Sequence, residues 1–220
     1  MVWAVPVAVI GFVIIALAPR SAAPRQSTAA AQRWWPNWRD PLIWRLGIAL
    51  GSVNAMYFSA NAFLPDYLHY IGRADLVSAA LTALNVGQIP ASLLLLAVAG
   101  RLERAVWPHI VCGIGSLAGI IGIAVLPGPG IVICAGILGF FAAAVLILML
   151  ALPPLLAPPD DVHRVSAAMF TISYSCAVIT PVFSGLIWDL TGYAQSAFVP
   201  LALCAIVLIA VAPTIRLRHA

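Results

Sequence analysis

Lysine is absent from the 220 residues, charged side chains of any kind make up 8%, and Glu103 is the lone glutamate. A soluble domain carries roughly 25% charged and about 45–50% apolar residues. This chain is 63% apolar with a mean hydropathy of +1.06. A water-soluble domain and a disordered chain are both excluded. Without a lysine amine there is no P-loop nucleotide site and no Schiff base to pyridoxal or retinal.

No Asp, Glu, Lys or His falls in the middle of any apolar run. The four histidines (His69, His109, His163 and His219) fall in loops or at span ends. Intramembrane proteolysis by a Ser–His pair and haem ligation between helices need a mid-membrane His, and proton coupling normally uses an embedded carboxylate or His. Asp66, just beyond Pro65 at the outer end of a span, reads as a solvated turn residue. The four cysteines (Cys112, Cys134, Cys176 and Cys204) lie in apolar runs with neither metal spacing nor a disulfide framework. They read as small core or lipid-facing residues, and neither a metal nor a cofactor is expected.

What the chain does have is length in its apolar runs. A helix needs about 20 apolar residues to cross a bilayer core. Seven segments qualify, about 2–18, 42–64, 77–99, 106–126, 131–153, 165–187 and 196–214. Runs such as Phe140–Leu152 lack the alternation of a membrane barrel, so the expected fold is an all-α membrane protein. The first run has no basic residue before it and Arg20, Arg25, Arg33 and Arg39 after it, the reverse of a signal peptide. It is expected to be a retained span with its N-terminus outside.

Arginine placement sets the expected orientation. With 19–41 cytoplasmic, the loops at 100–105 and 154–164 and the tail at 215–220 are cytoplasmic too. Ten arginines then lie inside or at an inner span end and only Arg73 lies outside, a positive-inside pattern for an inner membrane with the C-terminus cytoplasmic. This charge partition gives no reason to expect a nucleic-acid partner. The segment Arg33-Trp34-Trp35-Pro36-Asn37-Trp38-Arg39-Asp40-Pro41 reads as an interfacial anchor, its indoles at headgroup level.

Polar residues inside spans form stripes. Asn54, Tyr57 and Asn61 recur at i, i+3 and i+7 on one helix face, and Asn85, Gln88 and Ser92 repeat the spacing near a potential kink at Pro90. In the sixth span Thr171 and Tyr174 share a face, with Ser173 and Thr180 near another. The fourth, fifth and seventh spans are nearly bare. Three striped helices point to a polar cavity; the alternative is that these groups simply join helices. Gly47-x-x-x-Gly51 and Gly115-x-x-x-Gly119 are assigned to close helix packing.

Particular strings resemble the major facilitator superfamily of secondary transporters. Gly51–Leu68, with its Tyr-containing helix running into Leu64-Pro65, resembles family helix seven, closest to the cyanate and nitroimidazole transporter branch. Gly87-Gln88-Ile89-Pro90, followed by Ala99-Gly100-Arg101-Leu102-Glu103-Arg104, resembles helix eight and its cytoplasmic loop motif. Aligning Glu103 and Arg104 to the motif's Asp-Arg puts Ala99 at its Gly and Arg101 at its Leu. Pro181–Gly192 resembles the end of helix eleven.

The resemblance implies helices six to twelve of a twelve-helix carrier. Residues 1–18 would be the last helix of a truncated N-terminal half, 19–41 the linker, and 42–220 the six-helix C-terminal half. It also implies alternating access with solute held between the two halves. The implied function is transport of a small solute, a small anion or a heteroaromatic compound, not enzymatic chemistry. Candidate contacts are Asn54, Tyr57, Asn61, Asn85, Gln88 and Tyr174, and the expected partners are lipid and a missing half, second subunit or second copy. The competing expectation is a membrane-embedded scaffold or assembly subunit without transport of its own.

Overall fold

The computed structural model describes residues 35–102 and 105–215. The expected first span, most of the expected linker, and Glu103 and Arg104 of the loop motif lie outside the described residues. Among those described, seven α-helices form the bundle: α1 (Pro41–Tyr70), α2 (Val77–Val86), α3 (Gln88–Leu102), α4 (Trp107–Val125), α5 (Pro129–Leu156), α6 (Val162–Thr191) and α7 (Val199–Val211). Short 3₁₀ turns at Ala74–Leu76, Ala194–Phe198 and Ala212–Thr214 join or extend them. Five segments are long and apolar enough to cross a membrane: Ala74–Val98, Trp107–Val125, Pro129–Leu156, Val162–Thr191 and Ala194–Thr214. The chain is thus a multi-pass, all-α membrane protein. Its α1 is 30 residues long but too polar to rank with those five.

The start of α1 follows from local chemistry. Asp40 accepts from Leu42 N–H (2.9 Å) as N-cap, and Pro41 sits where a missing N–H costs nothing. Trp44 Nε1 donates to the Trp38 carbonyl (2.8 Å), and Arg45 donates to the Thr214 carbonyl (3.1 Å). These contacts tie the Trp-rich entry to this end of the bundle. At the start of α5, Gly128 takes φ +59°, a backbone that side chains resist. Gly192, at φ +72°, closes α6 in the left-handed conformation.

Two boundaries differ from expectation. Helix α1 does not stop at Leu64 but runs through Pro65 to Tyr70. The missing proline N–H frees only the Asn61 carbonyl, a tolerable loss near a helix end. Asp66 is exposed, as expected, but lies inside the helix instead of in a turn. The expected 77–99 span is divided at Gly87, with the break placed just before Pro90. A Cβ on Gly87 would lie 2.5 Å from the Gly136 carbonyl oxygen of α5, so this point is also where two backbones cross.

Helix α1 is the centre of one side of the bundle, packed along α6 and also touching α5 and α7. Helix α5 is the other hub, against α2, α3 and α4. The core between them is aliphatic, with Leu46, Leu50, Met56, Leu84, Leu138 and Leu148 all essentially sealed. The assigned glycine seams are present. A Cβ on Gly51 would meet Cys176 Sγ at 2.8 Å, and one on Gly119 would meet the Cys134 carbonyl and Leu138 N at 3.0 Å.

Candidate functional site

Where α1, α3, α5 and α6 meet, a cavity of about 240 Å3 opens. Asn54, Tyr57 and Gln88 supply its polar groups, and Tyr174 and Phe170 form an aromatic wall. Those two rings stack at 6.2 Å with 22° between their planes. The remaining lining is apolar, including Val53, Phe58 and Leu146, and among the described residues no charged side chain takes part.

The polar groups are tied to one another before any solute arrives. Tyr57 Oη donates to Asn85 Oδ1 (2.6 Å), and Gln88 Nε2 donates to Tyr57 Oη (3.1 Å). Asn85 Nδ2 donates to Asn61 Oδ1 (3.3 Å) and to the Leu81 carbonyl (2.8 Å). Asn61 Nδ2 in turn donates to the Tyr57 carbonyl (2.9 Å). On the other side, Asn54 Nδ2 donates to Ser173 Oγ (2.8 Å), a sealed bond between α1 and α6.

Of the six sequence candidates, the structure therefore brings Asn54, Tyr57, Gln88 and Tyr174 to the cavity wall. Asn61 and Asn85 stand behind Tyr57, in its hydrogen-bond network but not on the wall. Ser92 and Thr171 are spent on their own helices, bonding the Gln88 and Ala167 carbonyls at 2.9 Å. Ser173, expected on a different face from Tyr174, is the partner of Asn54.

Sequence reasoning passed over the α5 wall, Ala142, Ala143, Leu146 and Leu150, because that helix carries no polar stripe. The run Ala142-Ala143-Ala144 was the available signal: small side chains in an otherwise bulky helix leave room. Phe58 and Phe170 were also missed, since an apolar ring in a membrane span does not stand out.

A second, more open cleft lies at the far end of α1 and α6, lined by Phe63, Asp66, His69, Tyr70, Gly185, Trp188 and Asp189. Trp188 meets Tyr70 edge-on at 5.7 Å and Phe63 at 6.2 Å. Nearby, Arg73 pairs bidentately with Asp75 at 3.0 Å, which holds its guanidinium more firmly protonated. Among the described residues, no group of three or more His, Cys, Asp or Glu gathers as metal ligands would.

Comparison with known proteins adds a relative. The chain is 30% identical over 170 residues to the cyanate transport protein CynX of Escherichia coli (strain K12), an alignment covering 76% of this chain and 44% of that protein. The chain thus spans less than half the length of this relative. No family model and no solved structure matches it. The chain is a multi-pass helical bundle distantly homologous to this transport protein.

Proposed function

We propose that the chain forms part of a facilitator-type carrier that moves a small solute across the membrane by alternating access. The observation that carries this reading is the cavity at the α1–α3–α5–α6 junction, with hydrogen-bonding groups on one wall and stacked rings on another. Such a mixture of apolar shape and a few placed polar groups is what small-molecule sites use. Asn54, Tyr57, Gln88 and Tyr174 contact the solute, and Asn61 and Asn85 support Tyr57.

In this reading residues 42–220 are a six-helix C-terminal half, 19–41 the cytoplasmic linker and 1–18 a helix of the other half. The arginine-rich loops and the C-terminus face the cytoplasm across the inner membrane. A second half, supplied by a longer form of the chain, another subunit or a second copy, closes the solute path. Solutes in scope are small anions, cyanate among them, and heteroaromatic compounds. Because no arginine among the described residues lines the cavity, an anion would draw its counter-charge from that second half.

The test is uptake of cyanate and small azoles by cells producing the carrier with Tyr57→Phe or Gln88→Leu. Lower uptake at normal expression is expected; unchanged uptake of every solute would remove these residues as contacts. The scaffold reading has one observation in its favour: the Asn54–Ser173 and Tyr57–Asn85 bonds join helices. It expects the same substitutions to lower the amount of folded protein instead of the uptake per molecule.

A further inference from the structure

The orientation of a side-chain amide is a choice between O and N that neighbours must settle. Here two backbone carbonyls settle it, because a carbonyl can only accept. Asn61 donates to the Tyr57 carbonyl, so its Nδ2 is fixed and its Oδ1 is turned to receive Asn85. Asn85 donates to the Leu81 carbonyl as well, so its Nδ2 is fixed twice and its Oδ1 faces Tyr57. An amide oxygen can only accept, and the Tyr57 hydroxyl proton is committed to it at 2.6 Å.

Tyr57 Oη therefore offers the cavity no proton, only a lone pair, and Gln88 Nε2 donates to it at 3.1 Å. That donation fixes Gln88 in turn and leaves its Oε1 without a donor among the described residues. Gln88 Nε2 keeps one proton beyond the one given to Tyr57, so this edge offers one N–H against the open lone pairs of Tyr57 Oη and Gln88 Oε1 and is richer in acceptors than in donors. Asn54 is the flexible member, because its partner Ser173 is a hydroxyl that can turn either way.

We infer that the cavity selects uncharged solutes that bring a hydrogen-bond donor, and that Asn61 and Asn85 are positioning residues imposing this selectivity without touching the solute. The inference rests on the cavity being the solute site. A solute with an N–H completes the acceptors of Tyr57 and Gln88. One with lone pairs only can accept from the remaining Gln88 N–H but leaves the acceptors of Tyr57 and Gln88 unmet, and polar groups left unpaired discriminate between isosteres. A free anion is disfavoured at this edge for the same reason, which narrows the proposed solutes from small anions and heteroaromatic compounds to the uncharged ones.

The full chain, purified in lipid nanodiscs, is titrated with pyrazole and with 1-methylpyrazole, by calorimetry or ligand-observed NMR. Both probes are uncharged near neutral pH and differ in one N–H. Pyrazole is expected to bind about tenfold more tightly. Asn85→Leu releases the Tyr57 proton into the cavity, so 1-methylpyrazole should bind more tightly and the ratio should fall toward one. A merely structural role for Asn85 would weaken both probes alike and would overturn its positioning role.

Asn61→Leu leaves Asn85 anchored on the Leu81 carbonyl and should change the ratio less. If Asn85→Leu does not fold, Tyr57→Phe serves in its place: removing the acceptor should weaken pyrazole and leave 1-methylpyrazole unchanged. Ala143→Leu fills the cavity and should abolish binding of both. Equal wild-type affinities that both vanish in Ala143→Leu overturn the donor selectivity and leave the solute cavity standing. Binding of neither probe, or binding that survives Ala143→Leu, overturns both.

Discussion

Among the helix pairs that meet at glycines, the α1–α6 and α4–α5 pairs differ in what lies beside the seam. In the α1–α6 pair, Gly47 and Gly51 receive Ile172 and Cys176, and the Asn54–Ser173 hydrogen bond follows a turn later. Beyond that bond the cavity begins. In the α4–α5 pair, Gly115, Gly119 and Gly122 receive Phe141, Leu138 and Cys134. Small residues determine how closely two helices approach in lipid. Polar side chains beside the seam determine whether it can border a wet cavity.

The largest effect should come from breaking the tighter seam. A Cβ on Gly119 meets backbone atoms, the Cys134 carbonyl and Leu138 N at 3.0 Å, which can yield only if a helix moves. At Gly51 the first obstacle is the Cys176 side chain at 2.8 Å, which can turn away. Gly119→Leu should therefore cost about 3 kcal/mol or more and Gly51→Leu about 1–2 kcal/mol. Thermal unfolding in detergent, followed by tryptophan fluorescence, ranks the two. A larger loss at Gly51 would break the distinction between a backbone-backed seam and one backed by a side chain.

Next in size are substitutions on the cavity side, where function should change before stability does. Tyr57→Phe and Gln88→Leu should each lower solute binding about tenfold, the scale of one hydrogen bond. Their melting temperatures should stay near that of the parent. Ser116→Ala supplies the control, since that hydroxyl is sealed in α4 and has no hydrogen-bond partner among the described residues. It should leave binding unchanged. A binding loss at Ser116 equal to that at Tyr57 would mean the two regions are not functionally distinct.

Much of this division was legible in the sequence. Apolar runs gave helix positions to within a few residues for α4, α5 and α6, because in lipid the length and continuity of a run are the structure. Glycine spacing named both seams. The i, i+3, i+7 stripe placed Asn54, Tyr57 and Asn61 on one face, but periodicity does not say which neighbour each meets. Asn54 and Asn61 are about 10 Å apart along the axis, and the structure gives the first to α6 and the second to the α2 side. The break at Gly87 depends on the approach of Gly136 from α5, a tertiary contact with no local signature. Passage of α1 through Pro65 likewise depends on packing that stabilises the last turns, with Tyr67 edge-on to Phe198 at 5.1 Å.

A smaller effect sharpens the comparison at the α1–α6 seam itself. Interhelical hydrogen bonds in membrane proteins average about 0.6 kcal/mol, because the separated helices also find partners. The Asn54–Ser173 bond is sealed on both sides, with Asn54 8% exposed and Ser173 0%. A double-mutant cycle with Asn54→Leu and Ser173→Ala should give a coupling of about 0.6–1.7 kcal/mol in unfolding free energy. Coupling near zero would make the glycine seam alone sufficient to hold α1 against α6. Asn54 would then be free to serve the solute entirely.

The smallest effect is expected at a glycine that belongs to neither seam. Gly100 lies near the end of α3, exposed, and a Cβ added there meets nothing within 4 Å among the described residues. If packing were the only constraint, Gly100→Ala should stabilise the helix by about 0.5 kcal/mol, since glycine carries the larger conformational entropy cost. The same position begins the segment that resembles the facilitator loop motif. A small gain in melting temperature with unchanged uptake would make Gly100 an ordinary helix-end glycine. The same gain accompanied by slower uptake would assign it to the moving part of the transport cycle, where flexibility is retained at the expense of stability. The seam glycines cannot be read this way, because a side chain added there meets a packed neighbour, and any loss of uptake would be mixed with a loss of stability.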